Sequence, residues 1–153
     1  MPRLVLLFLA CLTLATTAAA AQAGPYSPRV FVFTAEPKGA VPTDEEQGRL
    51  DSVRDVREAF EKKAGFVLVP TAAEAQVLVE VTGREEREAP VGGFGGTVLT
   101  KPIEAILRLH IKIGGQATDV KGSAKGYWSR AAKDAVDRAV SWIARTVESS
   151  GTR

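Results

Sequence analysis

Hydrophobic and polar positions along the chain fall into segments of different period, and each period predicts an element. Residues 29–34 (RVFVFT) are dense in β-branched and aromatic side chains and predict a first strand, closed by Pro37, Gly39 and Pro42. Thr43 and Glu46 form a T-x-x-E capping box, with Asp44 and Glu45 placed where the helix dipole favours negative charge, so a helix starts at Asp44. Leu50, Val53, Val56 or Arg57, Phe60 and Ala64 recur at helical spacing and predict its core-facing stripe, with Gly65 as the stop. Residues 66–69 read as a short strand ended by Pro70. Val77, Val79 and Val81 then alternate with Gln76, Glu80 and Thr82, the pattern of a half-buried strand. The continuation through residue 88 is so charged that the strand should outrun the core.

Residues 97–113 resume the strand pattern. Ile103, Ala105, Leu107, Leu109, Ile111 and Ile113 share one face, while Glu104, Arg108, His110 and Lys112 share the other, with Ile106 as its apolar exception. One buried face and one wet face favour an antiparallel sheet over a parallel one covered on both sides. Gly114 and Gly115 make a turn, residues 116–121 a final strand, and residues 122–126 (GSAKG) a turn into a last helix over about 127–148. Trp128, Ala131, Ala132, Ala135, Ala139, Trp142, Ile143 and Val147 form its broad apolar face, and the alanines would let it lie close on the sheet. The expected fold class is α+β: a two-layer sandwich with a mostly antiparallel sheet of four to five strands and two helices packed on one face, in the order β-α-β-β-β-(β)-α. No repeat or linker divides residues 24–153, which read as a single domain.

The start of the chain changes the picture. Met1, Pro2 and Arg3 give a short basic region, residues 4–14 are apolar apart from Thr13, and Ala21, Gln22 and Ala23 make a small-x-small cleavage site before Gly24. That is the layout of a secretory signal peptide over residues 1–23. Retention as a membrane anchor is the rival reading. It is disfavoured by the threonines and alanines of the second half and by the lack of a basic stop-transfer cluster, so no membrane span is expected after cleavage. A lipoprotein reading around Cys11 fits less well, because the apolar stretch before it is short and continues beyond it. The protein is expected to be exported, to a periplasm or out of the cell.

Export also decides the chemistry available. Lys+Arg total 20 against Asp+Glu 18, and removal of Arg3 brings the mature chain to a net of +1, with no basic stripe to suggest nucleic acid as a partner. Cys11 is the only cysteine, so the mature chain has no disulfide, thiol nucleophile or cysteine metal site. With one histidine and no metal-ligand spacing, neither a metal nor a cofactor is expected.

Ala75 to Thr82 (AQVLVEVT) followed much later by a tryptophan-led helix resembles the layout of small bacterial envelope domains. Examples are the N-terminal domain of TolB and the outer-membrane lipoproteins that activate cell-wall synthases. The resemblance implies an accessory or scaffolding role. The chain departs from the lipoproteins in lacking their lipid-anchoring cysteine, and no functional residue is carried over.

Three places remain that could carry a task. The glycine-rich segment around Gly93, Phe94 and Gly95 holds a large apolar side chain at the tip between two strand patterns, where loops often bind, and is the candidate partner contact. Arg108, His110 and Lys112 share the polar strand face and are candidates for holding an anionic ligand. Residues 122–126 resemble a phosphate loop in glycine content, but their spacing matches neither the Walker nor the dinucleotide pattern. G-x-S-x-G is absent, because Ser123 stands one residue too early. Asp134 with Arg138 and Lys133 with Asp137 have the spacing of solvated helix pairs. The expectation is a non-enzymatic exported domain acting through protein contacts, with a carrier of a small anionic ligand as the alternative.

Overall fold

The computed structural model describes residues 27–88 and 103–150. The signal segment, Cys11 and the Gly93, Phe94 and Gly95 loop lie outside the described residues. The order is β1 (Arg29–Phe33), α1 (Asp44–Glu61), β2 (Val67–Leu68), a single 3-10 turn (Ala72–Glu74), β3 (Val77–Glu88), β4 (Ile103–Ile113), β5 (Gln116–Lys125) and α2 (Trp128–Ser150). The sheet runs β2-β1-β3-β4-β5. It is mixed: β1 is parallel to β2 and β3, whereas the long ladders β3/β4 and β4/β5 are antiparallel, so the α+β expectation holds and antiparallel pairing predominates along the sheet.

α1 begins as its sequence dictates. The Thr43 hydroxyl accepts the Glu46 amide at 3.3 Å, and the Glu46 carboxylate accepts the Thr43 amide at 2.8 Å. These backbone N–H bonds, from Thr43 first and then from Lys38 at 3.1 Å, hold the Glu46 carboxyl below the usual range. The buried stripe differs from the one expected. Ser52, Val56, Ala59 and Phe60 are buried, whereas Leu50 and Ala64 are exposed. Ser52 tolerates this position because its hydroxyl donates to the Gly48 carbonyl four residues back, at 3.0 Å.

Both helices cover one face of the sheet. Val30, Val32, Val77, Val79, Val81, Leu107, Leu109 and Ile111 meet Val56 and Phe60 from α1 and Ala131, Ala135, Val136, Ala139 and Ile143 from α2 in one buried cluster. The two tryptophans pack against that cluster only partly buried. The segment expected to be a turn at 122–126 is instead mostly strand, since β5 continues to Lys125 and only Gly126, at φ +73°, turns the chain. Gly122 explains the difference. A Cβ there would fall on the Ala131 carbonyl oxygen and the Ala135 amide nitrogen, and 2.7 Å from the Ala135 side chain. Glycine in β5 and alanine in α2 together let helix backbone touch strand backbone.

β3 carries one irregularity with large consequences. Its register with β4 shifts between Val81 and Gly83, so Thr82 is extra and every later residue changes face. Arg84 therefore pairs with Leu107 in register and points to the helix side, while Glu85 and Arg87 point to the other. The charged end of β3 does outrun the core, with Glu85, Glu86, Arg87 and Glu88 all exposed.

Candidate functional site

The sheet face opposite the helices is a grid whose rows can be read across the register. One row runs Phe31, Leu78, Lys112 and Ala117, and the next runs Phe33, Glu80, His110 and Asp119. Phe31 and Phe33 stack at 5.5 Å with 12° between ring planes. They and Leu78 are only half-buried, and Val67 at the sheet edge is exposed, so the β1 side of this face is an apolar strip. The β4/β5 side is charged. Ile106 interrupts it, buried between Glu85 and Ser123 in register, so the polar face is less wet than its sequence suggested.

Arg108, His110 and Lys112 do share this face, as strand alternation requires. Two of them already have carboxylate partners. Arg108 donates to Glu85 at 3.0 and 3.4 Å, and that bond, with the attraction of the charges, lowers the Glu85 carboxyl from its ordinary range and raises the Arg108 guanidinium. His110 Nδ1 lies 2.6 Å from Asp119 in the registered cross-strand pair. Further along, Arg87 donates to Glu104 at 3.0 Å, which with a hydrogen bond from Ser123 holds the Glu104 carboxyl low. Cross-strand carboxylates thus meet Arg87, Arg108 and His110, while Lys112 on the same face has no ion pair among the described residues.

Among the described residues, four hollows open elsewhere, and Arg108, His110 and Lys112 line none of these four. A cleft of about 490 Å³ lies where the start of α1, the end of β3 and the start of α2 converge. Arg84 crosses it. Its guanidinium sits 4.0 Å above the Trp128 ring and donates to the Gly48 carbonyl at 2.8 Å, and Asp51 stands 3.8 Å away. Asp44, Glu45 and Glu86 add an acidic rim. This constellation escaped the sequence reading because simple alternation from Val77 places Arg84 on the other face. Gly48, a glycine inside a helix, was the available signal: a Cβ there would lie 3.0 Å from Arg84 Cδ. Among the described residues no three His, Cys, Asp or Glu side chains gather to hold a metal ion.

No protein-family model matches the chain, and no curated protein matches it. Among solved structures it is similar to the hypothetical protein CT253 from Chlamydia trachomatis, at 11% identity over 65% of this chain and 73% of that one, with a TM-score of 0.36. It is also similar to PelC from Paraburkholderia phytofirmans, solved as a dodecamer, at 15% identity over 75% of this chain and 89% of that one, again with a TM-score of 0.36. No functional residue is carried across from either. No described helix is long and apolar enough to cross a membrane.

Proposed function

We propose that the chain is a non-enzymatic exported domain that acts through protein contacts, and that the helix-free sheet face makes them. The observation that carries this reading is the stacked Phe31 and Phe33 pair, half-buried beside Leu78 on a face that no described helix covers, with Glu80 and Lys112 next to it in register. An apolar strip with a polar margin is the composition of protein-docking surfaces. Glu80, Glu85, Glu104 and Asp119 nearly balance Arg87, Arg108, Lys112, Lys121 and Lys125 across this face, so a partner with a neutral, mixed surface fits it better than a polyanion. The carrier alternative has less support, since Arg108 and His110 already face carboxylates and none of the four hollows includes them. The signal layout of residues 1–23 supports export to the periplasm or beyond the cell.

A photo-crosslinking side chain placed at position 33 in the native host, with position 50 on α1 as the control, tests the reading. A discrete adduct from position 33 that disappears on Phe31→Ser supports it. Equal labelling from position 50, or none from position 33, rejects the face. Fusion of residues 1–30 to a reporter that is active only outside the cytoplasm tests export. Turnover of a glycan, peptide or ester by the purified protein would overturn the non-enzymatic reading.

A further inference from the structure

A groove of about 330 Å³ runs between the second half of α1 and the first turns of α2, and its charge is unlike that of the Arg84 cleft nearby. Lys62, Lys63, Arg130 and Lys133 line it, against the carboxylates of Asp55 and Glu58. Those two acids have a cation of their own outside the groove, since Arg54 reaches Asp55 at 3.8 Å and Glu58 at 4.0 Å. Lys63 and Lys133 share the single carboxylate of Asp137, with Lys133 at 2.8 Å, so one negative charge offsets two ammonium groups. Lys62 has no ion pair among the described residues, and Arg130 meets only the face of Tyr127, at 4.8 Å. The groove therefore holds an excess of positive charge that the protein itself leaves uncompensated.

Backbone chemistry at this point has the same sign. α2 carries no acidic residue in its first turn, whereas α1 carries three. Tyr127 precedes α2 where Thr43 precedes α1, and a tyrosine ring cannot turn back to cap the first amides as a threonine hydroxyl does. The first N–H groups of a helix have no acceptor within it, and those beside Ser129 and Arg130 on the groove wall are suited to an anion.

We infer that this groove binds a tetrahedral dianion, the phosphate of a phosphomonoester or inorganic phosphate, with Lys62 and Arg130 as its main contacts. Several cationic donors converging from two helices suit a compact group with many oxygens better than a carboxylate, which offers two oxygens and one charge. The groove is at the small end of ligand-site volumes, enough for a phosphate and a small substituent. The bond to Asp137 raises the Lys133 ammonium above its ordinary value and so holds its charge at the groove wall. The inference stands apart from the protein-contact reading, because it uses the opposite side of the molecule.

Amide NMR of the purified protein, titrated with inorganic phosphate and then with a sugar phosphate at ionic strength held constant with chloride, tests it. Saturable shifts at Ser129, Arg130, Lys133, Lys62 and Lys63 are expected. Lys62→Glu and Arg130→Glu should each weaken binding about threefold to tenfold, while Lys125→Glu on β5 leaves it unchanged. If either reversal lowers the thermal midpoint, Lys62→Gln and Arg130→Gln provide the same comparison. Vesicles containing phosphatidate form a third arm. Binding to them that depends on Lys62 and Arg130, with none to the soluble phosphates, identifies a lipid headgroup as the source and supports the site. No saturation by any of the three probes up to about 10 mM, or an equal response to chloride, overturns the inference. Binding that survives in the doubly substituted protein overturns it as well.

Discussion

The two faces of this sheet obey the same alternation but use it for different ends. On the helix side, the core positions of the sheet are small enough or apolar enough to close the space, down to Gly122 against the backbone of α2, and charge enters only beyond them, at the Arg84 end of β3. On the other side, a phenylalanine pair and cross-strand polar pairs line the strands, and no described element forms a second layer over them. Stability concentrated on one face leaves the other free to vary, and substitution should separate the two.

The largest effect is expected at Gly122. Its replacement by alanine sets a methyl group against backbone atoms of Ala131 and Ala135, which cannot rotate away as a side chain would. α2 must lift, and the loss should reach about 4 kcal/mol, beyond the usual range for overpacking. Chemical denaturation measures it. A loss below about 1 kcal/mol would show that the helix does not depend on this contact.

Matched truncations of the two faces come next. Leu109 is fully buried under the helices, and Leu109→Ala should cost about 3 kcal/mol. Phe31, half-buried on the helix-free face, removes a larger side chain, yet Phe31→Ala should cost only about 1 to 2 kcal/mol, because much of its surface already meets solvent. Denaturant midpoints compared at equal slope test the pair, and equal costs would erase the distinction between faces.

Much of this contrast was legible in the chain. The alternation of Val77 to Val81 and of residues 103–113 placed the right side chains under the helices, and the Thr43 and Glu46 box fixed where α1 starts. Three things were not legible, for one physical reason: each depends on what lies opposite in space. The extra residue at Thr82 moves Arg84 to the helix side, which no local period announces. Gly122 looks like turn chemistry until α2 is laid over it. The stripe of α1 includes Ser52 and leaves Leu50 exposed because β3 and α2 cover that side of the helix, and the Ser52 hydroxyl satisfies itself on Gly48 there. The candidate site was half legible. Strand alternation put Arg108, His110 and Lys112 on one face, but the carboxylates that meet two of them come from β3 and β5.

The helix layer also has a polar seam, and acid should expose it. Asp137, between Lys133 and Lys63, has its carboxyl held below the ordinary value by hydrogen bonds from both lysines, Lys133 first. A depressed folded value means that its stabilisation is complete above the unfolded value and is lost as pH falls through the folded one. Asp137→Asn should therefore flatten the acid limb of stability against pH and change little in the alkaline range. Asp55 has the opposite sign. Burial raises its carboxyl, so its favourable contribution is present below the unfolded value and is lost as pH rises through the folded one. Asp55→Asn should consequently raise the thermal midpoint near neutrality while leaving the acid limb in place. Thermal melts across pH 2 to 8 resolve the two, and identical profiles for the two variants would reject this assignment.

The smallest effect belongs to the helix-free face. Asp119 is 82% exposed and meets His110 at 2.6 Å on the edge strand, a geometry that water and salt discount heavily. Asp119→Asn should change stability by at most about 0.5 kcal/mol, and less still at high salt. Its interest lies elsewhere. If the face is a docking surface, the same substitution should alter crosslinking from position 33 although the fold does not notice it. A stability loss as large as that of Leu109→Ala would instead make the charge ladder part of the scaffold. The apolar strip of Phe31, Phe33 and Leu78 would then be left as the whole of the contact surface.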